Sequence, residues 1–180
     1  WEFPQFAFSG QAAGRKPEMN LGVQLSAAAS VNAIKKTFEL AKLDGRASGT
    51  AAPLRGLEAR LTGALSANPE RAEYKASGFG LSAKGSYEND AFSLVVQAPQ
   101  IAVSADQAGG AAATAELKVK GPQRNVDARF KLDGIQGTAQ ALSIASMVLD
   151  LDAAAAGNAV KGQISAPVKA NLKARAWELP

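Results

Sequence analysis

The stretch Val126-Asp127-Ala128-Arg129-Phe130-Lys131-Leu132-Asp133 alternates without a break. Val126, Ala128, Phe130 and Leu132 fall on one side of an extended chain, and Asp127, Arg129, Lys131 and Asp133 on the other. Successive side chains of a strand point to opposite faces, so this text predicts a strand with one buried and one wet face. The same period returns after Pro167, where Val168, Ala170, Leu172, Ala174 and Ala176 alternate with Lys169, Asn171, Lys173 and Arg175. It also runs through Leu57, Ala59, Leu61, Gly63 and Leu65, set against Glu58, Arg60, Thr62 and Ser66. Weaker copies occupy 21–25, 72–76, 79–83, 92–98, 117–119 and 160–166, bounded by turn text such as Asn89-Asp90 and Gly109-Gly110. Strands with one wet face suit antiparallel meanders. The predicted fold is all-β: a strongly curved antiparallel meander, in one sheet or more, folded over an apolar face. Helix signals are thin. Ala27–Lys36 suggests one or two helical turns, and Asn68-Pro69-Glu70-Arg71 a helical turn or tight loop. The Ala153–Ala156 run, closed by Gly157-Asn158, reads as a hairpin end.

A long repeat overlies the alternation. Pro4-Gln5-Phe6-Ala7-Phe8-Ser9 matches Pro99-Gln100-Ile101-Ala102-Val103-Ser104 position by position, and Trp177-Glu178-Leu179-Pro180 echoes Trp1-Glu2-Phe3-Pro4. The prolines imply a period of roughly 80–95 residues, far beyond a solenoid rung, so the expected organisation is two β units along one sheet. Residues 1–98 would form the first and 99–180 the second. Both ends read like mid-strand text, which suggests a section of a longer protein.

Composition narrows the chemistry. The 180 residues contain no Cys and no His. Disulfides, thiolate nucleophiles, zinc fingers and His-dependent triads are thereby excluded, and no cofactor or metal is expected. Lys and Arg number 20 against 16 Asp and Glu, spread along the chain with no basic run and few interleaved aromatics, which argues against nucleic acid. No apolar stretch approaches the 18 or so residues that span a bilayer as a helix. Apolar residues make up 47%, but roughly a fifth of the chain is Ala. The inward sets are therefore rich in Ala and Gly. Either two sheet surfaces approach closely, or an apolar groove is left open to an acyl chain or a partner. The expected core is Val23, Leu25, Leu57, Leu61, Leu65, Phe92, Leu94, Val119, Phe130, Leu132, Ile164 and Leu172. The expected groove is lined by Leu57, Leu61, Leu65, Phe130, Leu132, Ile164 and Leu172.

Other motifs read as surface. Gly78-Phe79-Gly80-Leu81-Ser82-Ala83 fits a phosphate-loop pattern, but it sits inside an alternating stretch with no helix after it. Asp150 and Asp152 share a strand face, with Asp133 a conceivable third ligand, and all three continue wet faces. Ser82 and Lys84 have dyad spacing on a strand surface. Lys118, Lys120, Arg129, Lys131, Lys169, Lys173 and Arg175 read as charges that deter stray strand pairing, ahead of contacts to anionic headgroups. No catalytic constellation emerges, so the chain reads as non-enzymatic. Exposed sheet edges leave edge-to-edge self-association open.

The run 117–134, Leu-Lys-Val-Lys-Gly-Pro-Gln-Arg-Asn-Val-Asp-Ala-Arg-Phe-Lys-Leu-Asp-Gly, resembles the periplasmic repeats of AsmA-like proteins. So do Met147-Val-Leu-Asp-Leu-Asp, the text of 160–172 and the Trp-Glu-Leu-Pro ending. The likeness covers most of 90–180 well and 1–89 loosely, as a repeat texture without an invariant motif. It implies a parent protein anchored in the inner membrane of a Gram-negative bacterium by an N-terminal helix. It further implies a periplasmic sheet curled around an apolar groove, a role in outer-membrane biogenesis, and phospholipid as the partner. The family has no catalytic residues to carry over. The competing class is a structural or binding β module of a secreted adhesin or scaffold, without a lipid role.

Overall fold

The computed structural model describes residues 1–16, 18–138, 140–171 and 176–178, the last three as backbone. Leu172, Lys173 and Arg175 lie outside the described residues. The described chain is all-β. Its strands are β1 (Glu2–Arg15), β2 (Glu18–Asn32), β3 (Thr37–Ala51), β4 (Leu54–Asn68), β5 (Glu73–Tyr87) and β6 (Asp90–Val103). They continue as β7 (Ala108–Gly110), β8 (Ala113–Lys120), β9 (Arg124–Gly137), β10 (Leu142–Ala155), β11 (Asn158–Asn171) and β12 (Ala176–Glu178). All belong to one antiparallel sheet in chain order, with β7 and β8 sharing the single slot between β6 and β9. The boundary between 98 and 99 falls inside β6, so both halves share one hydrogen-bonded sheet.

The meander is as the alternation predicts, but the strands are longer. Most run 14 or 15 residues. The helical turns expected over Ala27–Lys36 are absent: residues 27–32 finish β2 and 33–36 turn into β3. Three consecutive Ala favour a helix locally, yet Ala28, Ala29 and Ser30 are held by pairing to Ala41, Leu40 and Glu39. Asn68 does close a turn, its side-chain oxygen accepting from the Arg71 backbone N–H at 3.2 Å. Ala156-Gly157 forms the expected hairpin tip between β10 and β11.

Only neighbours in the sheet make extensive contact, so among the described residues no second layer packs on it. The chain exposes 12054 Å², where a folded monomer of 18.5 kDa ordinarily exposes about 8,200 Å². None of the twelve residues expected to form the core is buried among those described. The buried apolar residues are Ala27, Leu43, Ala98, Ala108, Ile135, Leu142, Ile144, Val168 and Ala170. Six of them, from Ala108 to Ala170, pack into one cluster, with Ile101, Val103, Leu132 and Met147 against it. In a single layer, shielding comes from lateral neighbours and bends, and the mid-strand leucines have no opposing sheet to bury them.

Register shifts mark those bends. They fall between Phe3 and Phe6 in β1, Leu40 and Leu43 in β3, and Ile144 and Met147 in β10. β5 carries another where Thr62/Ala64 oppose Gly80/Ser77. An extra residue bends a strand and keeps residues three apart on one face. Lys42 and Gly78 take positive φ at two of these points, and Gly134 takes +68° in β9. A Cβ on Gly134 would stand 2.5 Å from the Ala145 Cβ, so this position requires glycine. These shifts line up as a band across the sheet, with Ala27 and Leu43 beside it and the closed cluster reaching beyond it, while two more, between Gly49/Ala51 and Arg55/Glu58, lie off the band toward the turn that joins β3 to β4.

Candidate functional site

Residues directly opposite on neighbouring strands share a face, and the register links one row across ten of them. It runs Phe8–Leu25–Gly45–Leu61–Leu81–Val96–Ala115–Phe130–Leu149–Ile164. No polar side chain interrupts it. Two residues along, Gly10, Val23, Ala47, Ala59 and Ala83 continue through Leu94, Leu117, Ala128, Leu151 and Gly162. On the other flank, Phe6 pairs with Ala27, Leu43 with Gly63, Phe79 with Ala98, and Leu132 with Met147. At about 4.8 Å per strand the central row is roughly 40 Å long. The face therefore covers on the order of 1,000 Å², well above the 300–600 Å² of the largest patch on an ordinary monomer.

Leu61, Phe130 and Ile164 lie in the central row, Leu132 one row away, and Leu57 and Leu65 four residues either side of Leu61 on β4. All six share this face. They spread over strands too far apart for one pocket, and they line an open surface. Phe6, Phe8, Leu65, Leu117, Val160 and Ile164, all on this face, are between 37% and 62% exposed. Leu81, Val96 and Leu149 belong to the centre as much as Phe130 does. Their segments alternate weakly, and only the cross-strand register brings them into the row.

The opposite face is polar. Gln24, Arg46, Arg60 and Ser82 form one row, and Ser48, Glu58, Lys84 and Ser93 the next. Between these rows, over β1 to β6, lies an open hollow of about 1100 Å³. Arg46 and Arg60 oppose each other directly, and like charges so placed destabilise a sheet. Asp44 offsets this: its carboxylate accepts from Arg46 at 3.1 Å and from Arg60 at 2.8 Å. These bonds, Arg46 first, hold its carboxyl below the ordinary carboxylate range. Glu116 is lowered likewise by Lys118 and then Arg129, and Asp133 by Lys131 and then the Gly134 N–H. A depressed folded pKa contributes stability above the ordinary value, about 3.9 for Asp and about 4.3 for Glu, that is lost as pH falls through the folded value. The expected result is a urea midpoint that drops for the native chain as pH falls from about 5 to about 2. It drops less for Asp44→Asn, which is the weaker protein at pH 7 because its Arg pair is already unopposed.

The remaining motifs sit where the alternation puts them. Gly78–Ala83 lies wholly within β5 and opens no helix. Lys84 pairs with Glu58 at 2.8 Å and Lys161 with Asp152 at 3.2 Å, while Asp150 accepts from Gln163 at 2.7 Å. Asp133 pairs with Lys131 on β9 itself. Among the described residues no group of three His, Cys, Asp or Glu is placed to hold a metal ion. Lys118 and Arg129 meet Glu116, so these outward cations are engaged across the polar face. Comparison with protein-family models, with curated proteins and with solved structures finds no match to this chain.

Proposed function

We propose that the chain is a non-enzymatic periplasmic module of an AsmA-like protein, which holds phospholipid acyl chains against its apolar face as part of outer-membrane biogenesis. One observation carries the reading: an unbroken apolar row crosses ten strands, and among the described residues no second layer covers it. Apolar surface of this extent is stabilised when water leaves it, at about 25 cal/mol per Å². A partner without hydrogen-bonding groups fits it, because the face offers no side-chain donor or acceptor along its central rows. Acyl chains are flexible enough to follow its twist.

The absence of native Cys allows a direct test. An environment-sensitive fluorophore is attached to Leu81→Cys on the apolar face, and in a second protein to Ser82→Cys on the polar one. Addition of phosphatidylethanolamine and phosphatidylglycerol in mild detergent is expected to shift the Leu81→Cys emission to the blue and leave Ser82→Cys unchanged. Equal shifts at both sites, or none at either, would contradict lipid binding at this face.

A further inference from the structure

The polar face carries two opposed guanidinium groups where the sheet is hollow. They stand in the row Gln24–Arg46–Arg60–Ser82, on β3 and β4. Both strands are paired along both sides, so the arrangement is interior to the sheet. Farther along the same row the charges alternate instead, as Glu116, Arg129 and Asp150 on β8, β9 and β10. Like charges directly opposite destabilise a sheet, and Asp44 supplies one carboxylate for two cations. Lys84 and Glu58 in the next row neutralise each other. Three cations therefore meet two carboxylates, and one positive charge stands in excess beside the hollow of about 1100 Å³.

The donors around this charge are available. Among the described residues Arg60 donates only to Asp44, through one of its five N–H groups. The Arg46 and Arg60 side chains are 60% and 54% exposed. The hydroxyls of Ser48 and Ser82 and the amide of Gln24 border the hollow with no protein partner among the described residues. We infer that the hollow binds a sugar phosphate, its phosphate seated between Arg46 and Arg60 and its hydroxyls bonded to Gln24, Ser48 and Ser82. A phosphomonoester brings between one and two negative charges at neutral pH, which relieves the opposed cations. The planar guanidinium fork matches its oxygens two at a time. Sugar hydroxyls both donate and accept, which suits serine hydroxyls and a carboxamide. No aromatic side chain lines the hollow, so a nucleotide base would have no surface to stack on. The site is independent of the lipid reading, because it lies on the face opposite the apolar rows.

The test follows the Nε–H signals of Arg46 and Arg60 by magnetic resonance of the nitrogen-labelled chain in mild detergent, which covers the apolar face. Glucose phosphate is expected to shift both signals, and glucose alone neither. Inorganic phosphate should bind about tenfold more weakly than glucose phosphate, since it lacks the hydroxyl contacts. Arg60→Gln should lose about tenfold in affinity for glucose phosphate, read at Arg46, while Arg129→Gln, on the same face outside the hollow, should match the native chain. Arg60→Gln keeps its fold because Arg46 still holds Asp44, and circular dichroism checks this. No shift at millimolar glucose phosphate, equal affinity for inorganic phosphate, or an equal loss in Arg129→Gln would overturn the proposal. The fluorophore at residue 81 reads lipid binding separately, so failure here leaves that reading intact.

Discussion

Ile144→Asp is expected to unfold the sheet, whereas Ile164→Asp is expected to leave it folded. Both residues are isoleucines in adjacent antiparallel strands and both face the apolar side. Ile144 is 7% exposed and packs with Ala108, Ile135, Leu142, Val168 and Ala170. Losing that burial costs about 2–5 kcal/mol, and leaving an unpaired carboxylate in its place adds to it. The sum is comparable with the whole stability of an ordinary domain. Ile164 is 62% exposed on β11, so its replacement costs about 1 kcal/mol or less. Urea denaturation followed by circular dichroism checks both: the first variant should lack a cooperative transition, and the second should keep one near the native midpoint. Equal destabilisation by the two would mean that the face is closed over Ile164 as well, contrary to a single layer.

The second large effect concerns what the open face holds. Phe130 stands mid-row, with Ala115 on one side and Leu149 on the other. An aspartate there puts an ionised group where an acyl chain would otherwise displace water, and burying an unpaired carboxylate costs several kcal/mol. Phe130→Asp is therefore expected to lower phospholipid retention at least tenfold, since each 1.4 kcal/mol is a factor of ten. Lys131→Glu, one residue along and on the other face, should keep the lipid. It also leaves the strand folded, because Lys131 is an exposed partner of Asp133.

These contrasts depend on face assignment, which was largely legible in the sequence. Along 126–133 and 57–65 no register shift intervenes within the strand, so simple alternation places Phe130, Leu132, Leu57, Leu61 and Leu65 together on the sheet. Burial was not legible. It depends on whether a layer lies opposite, and alternation is the same for a sandwich and an open sheet. Hence Val23, Leu25 and Leu94 were natural core choices, while the closed cluster formed around Ile135, Ile144 and Val168. The bulges explain part of this. Ile135 follows Leu132 by three residues and Ile144 precedes Met147 by three, a spacing that reads as a change of face until Gly134 and the β10 shift are known. The three alanines at 27–29 misled in the other direction, since local helix preference says nothing of the strands that flank them. The row through Leu81, Val96 and Leu149 needed pairing across ten strands, and no local pattern carries it.

The most direct test of an acyl-binding face is native mass spectrometry of the chain purified from bacterial membranes in mild detergent, with extracted lipid analysed in parallel. Bound phospholipid is expected on the native chain and on Lys131→Glu, and its loss on Phe130→Asp. A lipid-free mass for the native chain, unchanged when phospholipid is added, would contradict the account and leave the apolar face to another partner.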